Sequence, residues 1–107
     1  MKRIFILLPH KEKFSKKKSG SASIWVKDFI KLSNFKKDIN VFGANVSKED
    51  AAIKNIYQNI HIPALKYQSK TNIYLNKFKK FIFKKQPKII EIHNRPNYLL
   101  NIYEHFS

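Results

Sequence analysis

The fold is decided by the stretch Lys88-Ile89-Ile90-Glu91-Ile92-His93-Asn94-Arg95-Pro96-Asn97-Tyr98. An apolar run ends at Ile92, and three polar residues follow it before Pro96. This pattern predicts a buried strand with polar side chains at its carboxyl end, followed by a helix that begins at Pro96. Open α/β sheets bind ligands outside the carboxyl ends of their strands, so the polar tip is a candidate site. The alternative is that these polar residues form an ordinary solvated turn.

Two further apolar runs and two helical patterns extend this prediction along the chain. Ile4–Leu8 has no turn residue, which is typical of a parallel strand covered on both faces, and Ile39–Phe42 predicts a second strand. Apolar residues recur at helical spacing in Ser21–Leu32 and in Thr71–Phe83, which predicts two helices. Their apolar faces consist of Ala22, Trp25, Val26, Phe29 and Ile30 in the first helix and Tyr74, Leu75, Phe78, Phe81 and Ile82 in the second. Strands that alternate with helices predict an α/β fold, a Rossmann-like parallel sheet with helices on both faces.

The remaining segments have weaker patterns. Pro9–Ser19 is polar and basic, which predicts a long loop, and Asn59–Pro63 alternates as a short third strand would. A capping signature at Ser47–Asp50 predicts a short helix over Ala51–Ile53. Asn97–Phe106 predicts a last helix. The apolar residues of that helix are Leu99, Leu100, Ile102 and Tyr103.

Length and charge narrow the class of protein. The 107 residues make room for one small domain, and 43% of them are hydrophobic, which is enough for a core. The formal net charge of +15 by itself suggests nucleic acid or an anionic membrane surface as a partner. However, Arg3 and Arg95 are the only arginines, whereas contacts that read bases favour arginine. The codons for Lys, Ile, Asn, Phe and Tyr are rich in A and T, so a biased genome explains the lysine content. We therefore expect no sequence-specific nucleic-acid binding.

The sequence has no pattern typical of secretion or of a membrane span. No apolar run approaches the roughly 18 residues that a spanning helix needs. Ile4–Leu8 is too short for the core of a signal peptide, and Pro9 ends it without a small-residue cleavage site. Together with the lack of cysteine, this fits a cytoplasmic protein. The basic amphipathic helix Thr71–Phe83 also fits peripheral contact with an anionic membrane, at the inner face of the plasma membrane.

One further motif lies between the first strand and the first helix. Lys18–Ser23 is rich in small residues, which let backbone N–H groups approach an anion at a helix N-terminus. The stretch is neither a G-x-G-x-x-G fingerprint nor a P-loop, and an ordinary capped helix start is the alternative. The chain contains no complete catalytic set. Its four histidines do not have the spacing of metal ligands, so we expect no metal site.

These residues resemble the N-terminal domain of glycosyltransferase family 4. The start Ile4–Pro9, then Glu12, then Ser19–Val26 entering a helix, is similar to the first βα unit of that family. Ile89–Pro96 is similar to the family's fourth strand and the loop after it. The resemblance covers most of the chain, with the motifs in the expected order and spacing. It implies the GT-B architecture, in which two Rossmann-like domains face each other across a cleft.

The resemblance implies an activity and a set of binding residues. Family members transfer a sugar from a nucleotide-sugar donor without a metal or other cofactor, often in the synthesis of lipopolysaccharide or other surface glycans. The matching donor- and acceptor-binding residues are Gly20, Ser21 and Ala22 in the small-residue loop, and His93, Asn94 and Arg95 at the tip of the fourth strand. The sequence has a serine where many members have a second glycine. The family's catalytic histidine lies farther along than this chain extends, so the resemblance assigns no catalytic residue.

We therefore expect residues 1–107 to be the first part of an acceptor-side GT-B domain, inactive without the donor-binding domain. The expected reaction is hexosyl transfer from a nucleotide-sugar to a glycan or lipid-linked acceptor. The alternative is a small basic protein that binds nucleic acid or an anionic membrane. Clustered arginines and stacking aromatic residues would have favoured this alternative, and the sequence does not have them.

Overall fold

The computed structural model describes residues 3–16, 21–34, 36–64, 69–93 and 96–106, with the backbone alone at residues 21, 22 and 106. The regular elements, in chain order, are β1 (Ile4–Leu7), α1 (Ser21–Leu32), β2 (Ile39–Ala44), β3 (Tyr57–Ile60), α2 (Lys70–Lys85), β4 (Ile89–Ile92) and α3 (Pro96–Phe106). Short 3-10 turns at Lys36–Asp38 and Lys54–Ile56 lead into β2 and β3.

The four strands form one parallel sheet in the order β3-β2-β1-β4. Ile4 lies between Ile39 of β2 and Ile89 of β4, so the three apolar runs that the sequence indicated are neighbours in register. The predicted α/β class with an all-parallel, Rossmann-like sheet is confirmed. Each helix follows a strand and begins near the carboxyl edge of the sheet, as parallel connections require.

Helices cover both faces of the sheet because side chains alternate along each strand. Phe5 and Leu7 point to the face covered by α2 and α3, where Phe42 and Phe78 pack with ring centroids 5.0 Å apart. Ile6 points to the opposite face, covered by α1. The buried side chains of α2 are Tyr74, Leu75, Phe78 and Ile82. This agrees with the predicted apolar face, except that Phe81 is only partly buried.

Two predictions between β1 and α2 are wrong, namely the helix over Ala51–Ile53 and the bounds Asn59–Pro63 of the third strand. Instead of a helix over Ala51–Ile53, Ala51 forms an antiparallel bridge with Ser15 of the long loop. That loop was predicted to be polar, yet it buries Phe14, whose ring stacks on Tyr57 at 5.7 Å. The third strand lies earlier in the chain than its alternating pattern indicated, because Tyr57 fills the space beside Phe14.

The exposed faces of α1 and α3 are more apolar than the sequence predicted. In α1, Val26 and Ile30 are buried, whereas Trp25 and Phe29 are 51% and 40% exposed. In α3 the buried residues are Tyr98 and Ile102. The other three apolar residues that the sequence indicated in α3 are exposed, namely Leu99, Leu100 and Tyr103. Among the described residues, no helix combines the length and the apolar character that crossing a membrane requires.

Candidate functional site

The strand order reverses direction between β1 and β4. The chain proceeds from β1 to β2 to β3 on one side of β1, and then crosses to the other side to form β4. Such a reversal is a topological switch point, where ligands of open α/β sheets bind. His93 lies directly at this point, and its backbone N–H donates to Leu7 O at 3.3 Å. His93, the one described residue of the predicted polar tip, therefore lies where open α/β sheets bind ligands.

The His93 side chain projects toward the face covered by α1. Its ring lies beside the Trp25 ring, with centroids 5.2 Å apart and tilted by 51°. Nε2 lies 3.5 Å from Glu91 Oε1, which is close enough for an ion pair when the imidazole is protonated. Only 15% of the His93 side chain is exposed, and Nε2 itself is buried without a hydrogen-bond partner. The solvated-turn alternative does not fit this histidine.

Two more buried polar atoms without partners belong to segments near the same edge. Glu12 Oε2 lies in the loop after β1, and Ser23 Oγ lies in the first turn of α1. A buried polar atom without a hydrogen bond costs roughly 1 to 3 kcal/mol. Such atoms are uncommon in folded proteins, and they call for an explanation such as a bound polar group. Among the described residues one further atom of this kind is Asn101 Oδ1, in α3.

The other predicted site residues are only partly visible. Gly20, Asn94 and Arg95 lie outside the described residues. Ser21 and Ala22 are the first two residues of α1, whose N-terminus follows the loop after β1. The predicted position of the small-residue loop at a helix start is consistent with the backbone of α1.

A second group of polar residues, which sequence analysis did not single out, lies on the opposite face of the sheet. The hydroxyl of Tyr98, in α3, lies 2.7 Å from His10 Nδ1 and also accepts the His10 backbone N–H at 3.2 Å. The Tyr74 hydroxyl donates to Leu8 O at 2.6 Å. These bonds fix the start of the loop after β1 to α2 and α3. The partners are up to 88 residues apart in sequence, so no local pattern could have indicated them.

Burial changes the acidity of two tyrosines near the sheet. Tyr74 is fully buried, and desolvation, with a smaller electrostatic contribution from Tyr98, raises its pKa well above the ordinary value. Desolvation also raises the pKa of Tyr57, against a smaller lowering by a hydrogen bond to the Val46 backbone. Both phenols therefore stay protonated at neutral pH and act as hydrogen-bond donors.

No protein-family model, curated protein or solved structure matches the chain. In the described parts of the molecule, no three His, Cys, Asp or Glu side chains are grouped as a metal ion would require.

Proposed function

We propose that the chain is the acceptor-side part of a GT-B glycosyltransferase. The reaction is transfer of a hexosyl group from a nucleotide-sugar donor to a glycan or lipid-linked acceptor, as in the synthesis of lipopolysaccharide and other surface glycans. The parallel sheet with its switch point at β1 and β4 is compatible with such a domain. The resemblance of Ile4–Pro9, Ser19–Val26 and Ile89–Pro96 to that family supports the same proposal.

The observation that supports it best is Nε2 of His93 at the switch point, which is buried, makes no hydrogen bond and lies 3.5 Å from Glu91 Oε1. A sugar hydroxyl can both donate and accept a hydrogen bond, so it can pair with imidazole in either tautomer. Pairing would recover the cost of the buried nitrogen, roughly 1 to 3 kcal/mol. The half-exposed Trp25 ring beside it offers an apolar surface for the carbon face of a sugar ring. His93 is thus suited to orient a sugar hydroxyl.

The remaining predicted residues have roles in the same proposal. Gly20, Ser21 and Ala22 would direct backbone N–H groups toward the donor diphosphate at the start of α1. Asn94 would bind a sugar hydroxyl, and Arg95 would contact a phosphate or carboxylate through two parallel hydrogen bonds. In a GT-B enzyme a second domain binds the donor, and residues 1–107 would supply the acceptor side of the cleft.

The test is sugar transfer by the longest reading frame that contains residues 1–107. Membranes of the source cell supply acceptors, and labelled nucleotide-sugars are offered one at a time. We expect transfer from one donor, reduced at least about tenfold in kcat/KM by His93→Ala, which corresponds to about 1.4 kcal/mol. His61→Ala is the matched control, because His61 is exposed at the end of β3. Absence of transfer from every donor, or equal activity of the two variants, would refute the proposal.

Peripheral contact with an anionic membrane is a second candidate function. Phe83 is 77% exposed on α2, and Lys79 and Lys80 line the same surface groove. An exposed aromatic ring among lysines suits the boundary between lipid headgroups and acyl chains. This contact would also bring the enzyme to a lipid-linked acceptor.

Cosedimentation with vesicles tests this contact. The chain should bind vesicles that contain phosphatidylglycerol, and Phe83→Ser should weaken binding several-fold. Leu32→Ser is the control, because Leu32 is 87% exposed on a different helix. Equal loss in both variants would show that this surface of α2 has no special role, and stronger binding to DNA than to vesicles would favour the nucleic-acid alternative.

A further inference from the structure

A cleft on the α2 side of the carboxyl edge is lined by three lysines. Its volume is about 360 Å³, within the range of small-molecule sites. The residues that line it include His10, Lys11, Lys13, Asn45, Ile62 and Lys70. No aspartate or glutamate is among the described residues that line the cleft. We call this feature the cationic cleft.

The three lysines of the cleft are not neutralised by ion pairs, although Lys13 also lines an adjoining pocket with Glu49 and Asp50. Among the described residues, none of Lys11, Lys13 and Lys70 forms an ion pair with a carboxylate. Lys70 is the first residue of α2, where the helix dipole disfavours a cation, and the first turn contains no acidic residue. The like charges repel one another, and an anion in the cleft would relieve this repulsion.

The walls of the cleft are held in place by hydrogen bonds. Lys13 Nζ donates to Ala44 O at 3.2 Å, at the carboxyl end of β2. The Asn45 side chain accepts from Ile62 N at 2.8 Å and donates to Ile62 O at 3.2 Å, which joins the end of β2 to the segment after β3. Tyr98 fixes the His10 backbone and ring. Binding an anion here would therefore require little ordering of the protein.

We infer that the cationic cleft binds a phosphate monoester. Lysine ammonium groups act as point charges that suit phosphate oxygens, and several of them together favour a dianion over a singly charged carboxylate. The wall formed by Ile62, Pro63 and Ala64 leaves room for a compact organic group attached to the phosphate. The monoester is either a soluble phosphorylated metabolite or the headgroup of a lipid.

The assignment of this ligand as the acceptor rests on the proposed function. The cleft lies at the same edge of the sheet as His93, whose ring contacts Trp25 of α1, whereas Ile62 of the cleft packs in the core on the α2 side. A phosphorylated acceptor would bind the cleft through its phosphate and present a hydroxyl across the ends of the strands. The phosphate site itself depends only on the cleft.

Two double variants separate this site from general attraction by net charge. Lys11→Gln/Lys70→Gln removes two charges from the cleft, whereas Lys36→Gln/Lys37→Gln removes two charges from an exposed turn at the opposite edge of the sheet. Both lower the net charge equally. Lys13→Gln is a second cleft variant, in which the glutamine amide can still donate toward Ala44 O. Circular dichroism confirms that each variant is folded.

Binding is measured by amide chemical shifts of the chain, with glycerol 3-phosphate, inorganic phosphate and sulfate as probes. We expect saturable binding of glycerol 3-phosphate, with shifts at Asn45 and Ile62. The Kd should rise at least about tenfold in Lys11→Gln/Lys70→Gln and less than about twofold in Lys36→Gln/Lys37→Gln. Equal weakening in the two variants, or sulfate binding as tight as glycerol 3-phosphate, would overturn the inference.

A second arm uses vesicles of phosphatidylcholine with and without phosphatidic acid, which has a phosphate monoester headgroup. Binding that requires phosphatidic acid and is lost in Lys11→Gln/Lys70→Gln supports a lipid source. Binding of glycerol 3-phosphate with no preference for phosphatidic acid supports a soluble source. If neither probe binds in a way that depends on the cleft lysines, the inference is wrong. These assays do not require sugar transfer. The phosphate site can therefore be supported even if the transferase proposal fails, and it can be refuted even if sugar transfer is found.

Discussion

Removing the Tyr74 hydroxyl should destabilise the protein by a measurable and specific amount. This hydroxyl is fully buried and donates to Leu8 O at 2.6 Å, at the point where β1 enters the long loop. Phe42 O, 3.3 Å from the same hydroxyl, keeps a second partner because it also accepts the Leu8 N–H. Tyr74→Phe therefore leaves one buried carbonyl, Leu8 O, without the hydrogen bond from this hydroxyl. We expect a cost of about 1 to 2 kcal/mol in the free energy of unfolding.

The cost can be expressed as a change in the thermal midpoint. At about 2.1 cal/mol/K per residue, a chain of 107 residues has an unfolding entropy of about 220 cal/mol/K. A loss of 1 to 2 kcal/mol then lowers Tm by about 4 to 9 °C. The measurements are calorimetry and urea unfolding, and the slope of free energy against urea should not change, because the surface exposed on unfolding is the same.

Tyr103→Phe is the matched control, since it removes the same hydroxyl from a residue that is 67% exposed. We expect its free energy of unfolding to stay within about 0.5 kcal/mol of the parent protein. If Tyr74→Phe also stays within that margin, the hydroxyl contributes nothing to the attachment of α2 at the end of β1. The argument from the buried hydrogen bond would then be wrong.

Three further predictions concern the same edge of the sheet. His93→Ala should cost about 1 to 2 kcal/mol in urea unfolding, because it removes the ring contact with Trp25 and the contact with Glu91 but no hydrogen bond, and a loss above about 3 kcal/mol would make His93 a structural residue. Burial raises the pKa of Tyr57 and Tyr74, so the stability that depends on their protonated forms is fully present below about pH 10, the pKa of tyrosine in the unfolded chain. Above that pH, the free energy of unfolding should fall by about 1.4 kcal/mol per pH unit for each phenol, and the fall should be shallower in Tyr74→Phe. A free energy from urea unfolding that stays constant up to about pH 11 would contradict this. Asn45 has a left-handed backbone with φ 53°, so Asn45→Ala should cost about 2 to 3 kcal/mol and Asn45→Gly about 1 kcal/mol less. Equal costs of the two variants would mean that this backbone conformation is not under strain.

The parallel sheet could be predicted because its strands are short runs bounded by clear breaks. Ile4–Leu7 and Ile89–Ile92 have the predicted bounds, apart from one residue at Leu8. The prediction that Ile89–Ile92 is buried is wrong, because β4 is an edge strand and none of its residues is fully buried. The third strand could not be located in this way. Its position depends on Tyr57 stacking against Phe14, and the two residues are far apart in sequence.

Part of the candidate site could be predicted because it follows a strand that the sequence pattern indicates. His93 could be assigned because it directly follows a recognisable strand. Lys13 and His10 lie in a loop with no regular pattern, and their partners Ala44 and Tyr98 are distant in sequence. The buried face of α3 was also ambiguous, because apolar residues occur all around that helix and only packing against Tyr74 selects Tyr98.

The outer edge of β4 has a consequence for how molecules of this protein behave toward one another. Among the described residues β4 pairs only with β1, and Ile89 on it is 56% exposed. An open apolar strand is a template for the edge strand of a second molecule. The net charge of +15 opposes such encounters, but its range shrinks from about 8 Å at physiological salt to about 3 Å at 1 M. Light scattering should therefore detect self-association as the sodium chloride concentration is raised, and Ile89→Lys should shift its onset to higher salt. An onset unchanged by this variant would mean that the molecules associate through another surface.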